Sequence, residues 1–286
     1  MSLEEFDYQT LLQKTENEEL EELAVVYHQL GCHSINLNRA ISFYKRSIEI
    51  NLFYRPIDYE LLSATYSNIG GLLKQRTDYD EALKYYRRAL DIDLRDTKVN
   101  QLKIADRYND IGNVLKDQGN YKEANEYFHH ALNIQTKNIS LNDPILIKTY
   151  HNLGSIYCLM KKYSLAFDYY EKSLEILEAY LPLQHLLLIR TYNKLGLLYY
   201  LMQNYTASFS CQKKALEIQE KILSSHHPSL ATRHFNMAVA LEGLKIYEEA
   251  IYHVTKAIEI LQQTYRSHQH KIGNYQRYLS ELRKKL

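Results

Sequence analysis

Thr149-Tyr-His-Asn-Leu-Gly154 decides the fold, because it recurs. Thr65-Tyr-Ser-Asn-Ile-Gly70, Arg107-Tyr-Asn-Asp-Ile-Gly112 and Thr191-Tyr-Asn-Lys-Leu-Gly196 repeat it, and Arg233-His-Phe-Asn-Met-Ala238 is a looser copy, all at one constant spacing. Twelve residues after each glycine, or after Ala238, stands a small residue: Ala82, Ala124, Ala166, Ser208 and Ala250. One step back from Ala82 lies Ala40, whose glycine, Gly31, is only nine residues earlier, so the first copy has a shortened turn. A fixed period of this length marks a repeat architecture. Six copies are predicted.

Each copy reads as two helices. Tyr150, Leu153, Gly154 and Tyr157 sit at i, i+3, i+4 and i+7, one apolar stripe at helical spacing. A tight turn follows, Lys161-Lys162 here and Gln118-Gly119-Asn120 one copy earlier. The second helix then carries Ala166, Tyr169, Tyr170, Ser173, Leu174 and Ile176. Glycine inside a helix costs about 1 kcal/mol relative to Ala, so glycines held in register predict close approach of the paired helix, with the small residue twelve positions on as their opposite number. Asn142-Asp143-Pro144 and His226-His227-Pro228 read as helix starts, with a cap residue before proline. Tyr79, Tyr121, Tyr163, Tyr205 and Tyr247 keep the period too, as residues packing the turns. One such pair cannot bury its stripe alone; stacked copies can. Ile272, Tyr275, Leu279, Leu282 and Leu286 form a last stripe, with Arg277, Arg283, Lys284 and Lys285 on the other faces, which predicts a terminal capping helix.

Composition agrees. The 286 residues include 27 Tyr but no Trp, and only 4 Pro and 9 Gly, so breakers are scarce and an almost wholly helical chain is expected. Lys and Arg number 35 against 34 Asp and Glu, which gives no basic footprint for nucleic acid. No apolar run approaches the roughly 18 residues of a membrane helix, and the acidic start has neither the basic nor the apolar region of a secretory signal. Cys32, Cys158 and Cys211 form neither a disulfide framework nor a CxxC pair. A cytoplasmic protein is expected.

Tyr150, Leu153-Gly154, Tyr157, Ala166 and Tyr170 resemble the signature of the tetratricopeptide repeat family, with Tyr where the family commonly has Trp. The 42-residue period is similar to the longer repeats of kinesin light chain and nephrocystin-type proteins. Their opening His-Pro step is approached by His227-Pro228-Ser-Leu-Ala231-Thr-Arg-His-Phe-Asn236-Met-Ala238 and more loosely by Asp143-Pro144. The resemblance implies an all-α, right-handed solenoid of six helical hairpins. We place the acidic segment at 1–18, repeats at 19–60, 61–102, 103–144, 145–186, 187–228 and 229–262, and the capping helix at 263–286. It also implies a non-catalytic interaction scaffold with an adaptor or cargo-binding role of the kinesin light chain kind. The long coiled coil that binds the motor chain in those proteins has no counterpart in the short acidic segment before the first repeat, so a motor or cytoskeletal link rests on the resemblance alone.

In such a solenoid the first helices line the concave side, and the stripe opposite their apolar one is expected to stay open at −6, −3, −2, +1 and +4 from each glycine. That stripe includes Asn68, Asn109, Asp110, Asn113, Lys116, Lys148, His151, Asn152, Arg190, Asn193, Lys194 and Asn236. Five of the ten residues at −3 and −2 are Asn, a mediocre helix former whose side chain both donates and accepts. Asn at −2 resembles the groove asparagine of peptide-binding repeats, which carries over to Asn68, Asn152 and Asn236. Lys148, Arg190 and Lys194, with His151 nearby, form a positive patch suited to a peptide bearing carboxylates. Repeats 3 to 5 are expected to do the binding.

Other motifs are weaker. The twelve histidines form no ligand-spaced cluster, so no metal and no cofactor is expected. No GxxxxGK[ST], GxSxG or GxGxxG is present, and no catalytic residue is assigned. Cys158, on the open stripe, is the one thiol whose reactivity is worth testing. Residues 1–22 hold eight acids and one Lys, and the last 23 hold six bases and one acid, so the acidic arm could fold onto the basic patch or stay solvated. The alternative to a free-standing scaffold is the regulatory repeat arm of a larger enzyme, such as an ADP-ribosyltransferase, with its catalytic domain on other sequence.

Overall fold

A computed structural model describes residues 17–54, 56–96, 99–180, 186–224, 227–263 and 269–286. The acidic residues 1–16, His226 and His268 lie outside the described residues. Among the described residues are thirteen α-helices and no strand. They pair as α1 (Asn17–His33) with α2 (Leu37–Phe53), α3 (Tyr59–Gln75) with α4 (Tyr79–Arg95), α5 (Gln101–Asp117) with α6 (Tyr121–Asn138), α7 (Leu146–Leu159) with α8 (Tyr163–Tyr180), α9 (Leu186–Leu201) with α10 (Tyr205–Glu220) and α11 (Pro228–Gly243) with α12 (Tyr247–Gln263), before a last helix, α13 (Gln269–Arg283). The chain forms two compact units, 1–140 with the first three hairpins and 141–286 with the other three and α13. Within each unit, the second helix of one hairpin packs on the first helix of the next.

The turns explain the rigid period. Thr77, Gly119, Lys161, Gln203 and Lys245, one in each of five successive repeats, all have positive φ, and each closes the preceding helix. Asp78, Asn120, Lys162, Asn204 and Ile246 donate their backbone N–H to Leu73, Leu115, Tyr157, Tyr199 and Leu241 at 2.8–2.9 Å, the Schellman pattern. Only Gly119 is the residue type that geometry favours. The five periodic tyrosines each begin the following helix. In the first hairpin the link shrinks to Ser34-Ile-Asn36, and Asn36 caps α2 by accepting from the Arg39 N–H at 3.1 Å.

The glycines mark close approach, but mainly to a ring rather than to the small residue expected. A Cβ on Gly70, Gly112 or Gly154 would run into Tyr86, Phe128 or Tyr170, sixteen residues on, and Gly31 meets Tyr44. The small residue lies near the glycine's backbone instead, as where Ser208 Oγ donates to the Gly196 carbonyl at 2.8 Å. Tyr170, Leu153, Ile156 and Leu177 are all buried, each such side chain contributing about 1.5–3 kcal/mol.

The capping helix holds the place of a seventh first helix. Tyr275 falls one full repeat beyond Arg233, and its ring stacks on Phe235 with centroids 4.1 Å apart. Tyr275 and Leu282 are buried, Ile272 and Leu279 pack against them, and Tyr278 OH and Lys285 Nζ both bond Glu242. Leu286, placed on this stripe by its spacing, lies past the helix end and is 69% exposed.

Candidate functional site

Positions −3 and −5 of the repeated hexapeptide join neighbouring first helices rather than lying open. His28 Nδ1 is 2.8 Å from Thr65 Oγ1, and Arg107 Nη1 donates to Ser67 Oγ at 2.8 Å. In the second unit His151 Nε2 lies 2.8 Å from Thr191 Oγ1 and 3.0 Å from Ser173 Oγ. His151 is therefore buried seam and not groove wall, and Asn109, also fully buried, offers no open groove surface either. Burial, reinforced by Arg190 and Lys194, pushes the His151 imidazole down to about 4, so it adds no charge to the patch at neutral pH.

In the first unit the open stripe carries Asn68, Asp110, Asn113 and Lys116, all half-buried. Asn113 Nδ2 donates to the Asn109 carbonyl at 2.9 Å, and its Oδ1 accepts from Lys116 Nζ at 2.9 Å. Charges here are mutually neutralised: Lys74 pairs with Asp117 at 3.0 Å, and Arg107 Nε donates to the buried Asp93 at 2.9 Å. Arg107 Nη2 completes the set on Ser63 Oγ at 3.4 Å.

The second unit is different. Lys148 and Arg190 are exposed, and Asn152, Asn193, Lys194 and Asn236 are half-buried. Lys194 Nζ donates to Ser155 Oγ at 3.2 Å, and Ser155 Oγ lies 3.0 Å from Tyr170 OH. Burial, with Arg190 next, lowers the pKa of the Lys194 ammonium. Among the described residues no carboxylate pairs with Arg190, Lys194 or Arg233, and the undescribed stretches of 141–286 contain no Asp or Glu. Burial raises the pKa of the Cys158 thiol, which disfavours its nucleophilic thiolate form.

Three of the expected residues, Asn193, Lys194 and Asn236, converge on a cavity of about 400 Å³ between α9, α10 and α11, with Gly196, Gln212 and Arg233. Gln212 and Arg233 lie outside the stripe read from the sequence. A signal for Gln212 exists, since it interrupts a column otherwise made of Tyr86, Phe128, Tyr170 and Val254. Arg233 stands at the first position of the hexapeptide, where Thr65, Arg107 and Thr191 bond across the seam. Among the described residues no group of three or more His, Cys, Asp or Glu is placed to hold a metal, and no helix is long and apolar enough to cross a membrane.

A stack of helical hairpins with a polar, partly charged stripe on its first helices defines a helical-repeat interaction scaffold. The tetratricopeptide repeat pattern matches residues 17–95, 104–179 and 187–263, and the chain belongs to that family. No curated protein matches it by sequence. Among solved structures it resembles BtubC (BKLC) from P. vanneervenii, with 21% identity and a TM-score of 0.72 over 82% of this chain and 94% of that one. It also resembles the apo form of RapI (19%, TM-score 0.65, 92% and 98%). A kinesin light chain candidate from Podosopora anserina with nearly identical TPR-like repeats is a third (18%, TM-score 0.62, 71% and 97%). At these identities the likeness establishes the shared fold.

Proposed function

We propose that this chain is a non-catalytic scaffold that holds an extended, acidic segment of a partner protein along the open stripe of α7, α9 and α11. The observation that carries the reading is the set of cations there, Arg190 and Lys194, with no carboxylate partner among the described residues, interleaved with Asn152 and Asn236. Amide side chains can hold an extended backbone by paired donation and acceptance, and charge-assisted bonds of roughly 1.5–3 kcal/mol each suit carboxylates. A stripe preformed on rigid helices limits the ordering cost of binding. Asn68, Asp110, Asn113 and Lys116 offer similar polar contacts in the first unit. An adaptor role like that of kinesin light chains fits the 42-residue repeat and the fold likeness, and a cytoplasmic setting fits that role.

The test is a quantitative pull-down from extract with wild type and Asn152→Ala/Arg190→Glu, after circular dichroism shows both equally folded. Acidic partners depleted at least ~10-fold by the double variant support the reading, about 1.4 kcal/mol or more of binding energy. Identical partner lists would sink it.

A further inference from the structure

Repeats 4 and 5 lie side by side in one unit, and three positions change together between them. In repeat 4 the seam is made by His151, Tyr170 and Thr191. The ring of Tyr170 covers Gly154, its hydroxyl meets Ser155, and the imidazole meets two hydroxyls. In repeat 5 the same positions are Asn193, Gln212 and Arg233. The ring has become an amide, and the space beside it is the cavity of about 400 Å³.

Its polar lining is incomplete. Gln212 is 3% exposed, yet its Oε1 has no hydrogen-bond partner, and neither has Asn193 Oδ1. Arg233 Nε donates to Gln219 Oε1 at 3.1 Å, the position where Arg107 finds the carboxylate of Asp93. The serines that receive the Arg107 Nη atoms, Ser63 and Ser67, are Ile189 and Asn193 here. Burial pushes the Arg233 guanidinium down to about 10. Arg233 is half-buried, and a partly desolvated charge without a counterion is disfavoured, as is a buried amide oxygen without a donor. The cavity walls are Gly196, Leu197, Tyr200, Ser208 and Val239, and Asn236 and Lys194 from the proposed stripe complete the lining.

We propose that this cavity is a specificity pocket for one carboxylate side chain of the bound segment, with the carboxylate serving as the missing counterion of Arg233 and Lys194. The fork of a guanidinium matches a carboxylate with two parallel bonds. The unpartnered amide oxygens of Gln212 and Asn193 accept N–H groups from the same segment. The proposal rests on the reading of the stripe as a peptide groove and adds the anchor point within it.

Two variants outside Asn152 and Arg190 separate the two ideas. Gln212→Tyr restores the ring of repeat 4 and fills the cavity. Gln219→Asp gives Arg233 the internal partner that Arg107 has, leaving every cavity-lining residue in place. The probe is N-acetylglutamate methylamide, compared with the glutamine analogue at matched ionic strength by thermal melting. The glutamate probe is expected to raise the wild-type Tm by about 3 °C at tenfold excess over its apparent Kd. The glutamine analogue should not, and the rise should vanish in both variants. No wild-type rise, an equal rise with glutamine, or a rise kept in Gln219→Asp overturns the pocket. A larger rise with N-acetylphosphoserine methylamide overturns the carboxylate assignment in favour of a phosphorylated side chain. The pull-down with Asn152→Ala/Arg190→Glu reports on the groove independently.

Discussion

Arg107 and Arg233 stand at one position of the repeat, three copies apart, one in each compact unit. Arg107 is held on three sides by Asp93, Ser67 and Ser63. Arg233 donates to a neutral amide and borders an open cavity. The first arginine is structural: its charge is neutralised within the fold, and it fastens α3 and α4 to α5. The second is held ready, half-buried and without a carboxylate partner among the described residues. One repeat position thus serves packing in one unit and recognition in the other, and the neighbours at the column of Asp93 and Gln219 decide which.

The sharpest way to break this comparison is Asp93→Ala. It leaves Arg107 buried without a counterion and should cost about 3–5 kcal/mol by urea denaturation. Gln219→Ala, its counterpart, removes one neutral acceptor and should cost about 1 kcal/mol. Equal losses at the two sites would mean that the arginines are equivalent and the contrast is false.

Acidification should act next most strongly, through the seam between repeats 4 and 5. His151 is pushed down to about 4 in the folded chain, from an ordinary 6.5, by burial first and then by Arg190 and Lys194. Between those values the unfolded chain takes up a proton that the folded one refuses. The stability is therefore fully present above pH 6.5 and falls as pH drops toward 4, by about 3 kcal/mol for this group. His234, lowered by burial and by His253 and Lys256, steepens the same slope. Urea midpoints of wild type and His151→Gln across that pH window check it. An unchanged slope in the variant would show that His151 is not held neutral by the seam.

Much of the fold is legible in the sequence, because one period controls it. The hexapeptide, the small residue after the turn and the turn tyrosines each recur once per repeat, and helix geometry turns that spacing into stacked hairpins. The binding stripe is harder to read. Helical spacing puts −3 and −2 about 100° apart on one broad face, but within a unit the next first helix approaches from the −3 side, as where His151 is buried beside Thr191. That approach depends on how hairpins stack, which a one-helix projection does not contain. The pocket is written in the sequence as a broken column at Gln212. A break acquires meaning only when the ring it replaces is known to cover a glycine.

The glycines give a smaller test of the same idea. Gly154→Ala pushes a methyl into the Tyr170 ring, which is locked by Ser155, and should cost about 2 kcal/mol. Gly196→Ala meets only the end of the Gln212 side chain, which can swing into the cavity beside it. The better helix propensity of Ala, about 1 kcal/mol, should leave that variant close to wild type in thermal melting. A large loss at Gly196 would mean that Gln212 is as fixed as the ring it replaces.

The smallest expected effect is the most discriminating. Arg233→Met keeps the length and apolar stem of the side chain and removes the guanidinium. If the charge is uncompensated in the free chain, its removal relieves a desolvation penalty and forgoes only the bond to Gln219. Replacing a buried charge by an apolar residue of similar volume is often neutral or stabilising, so a gain of about 1 kcal/mol in urea is expected, together with loss of the glutamate-dependent rise in Tm. Arg107→Met removes a charge already matched by Asp93 and leaves that carboxylate buried with Lys103 at 3.7 Å, so it should destabilise. Opposite signs from one substitution at equivalent positions would locate the difference in the surrounding side chains. A loss from Arg233→Met larger than one neutral hydrogen bond contributes, about 1.5 kcal/mol at most, would show that Arg233 supports the fold as Arg107 does, and the recognition role would fall with it.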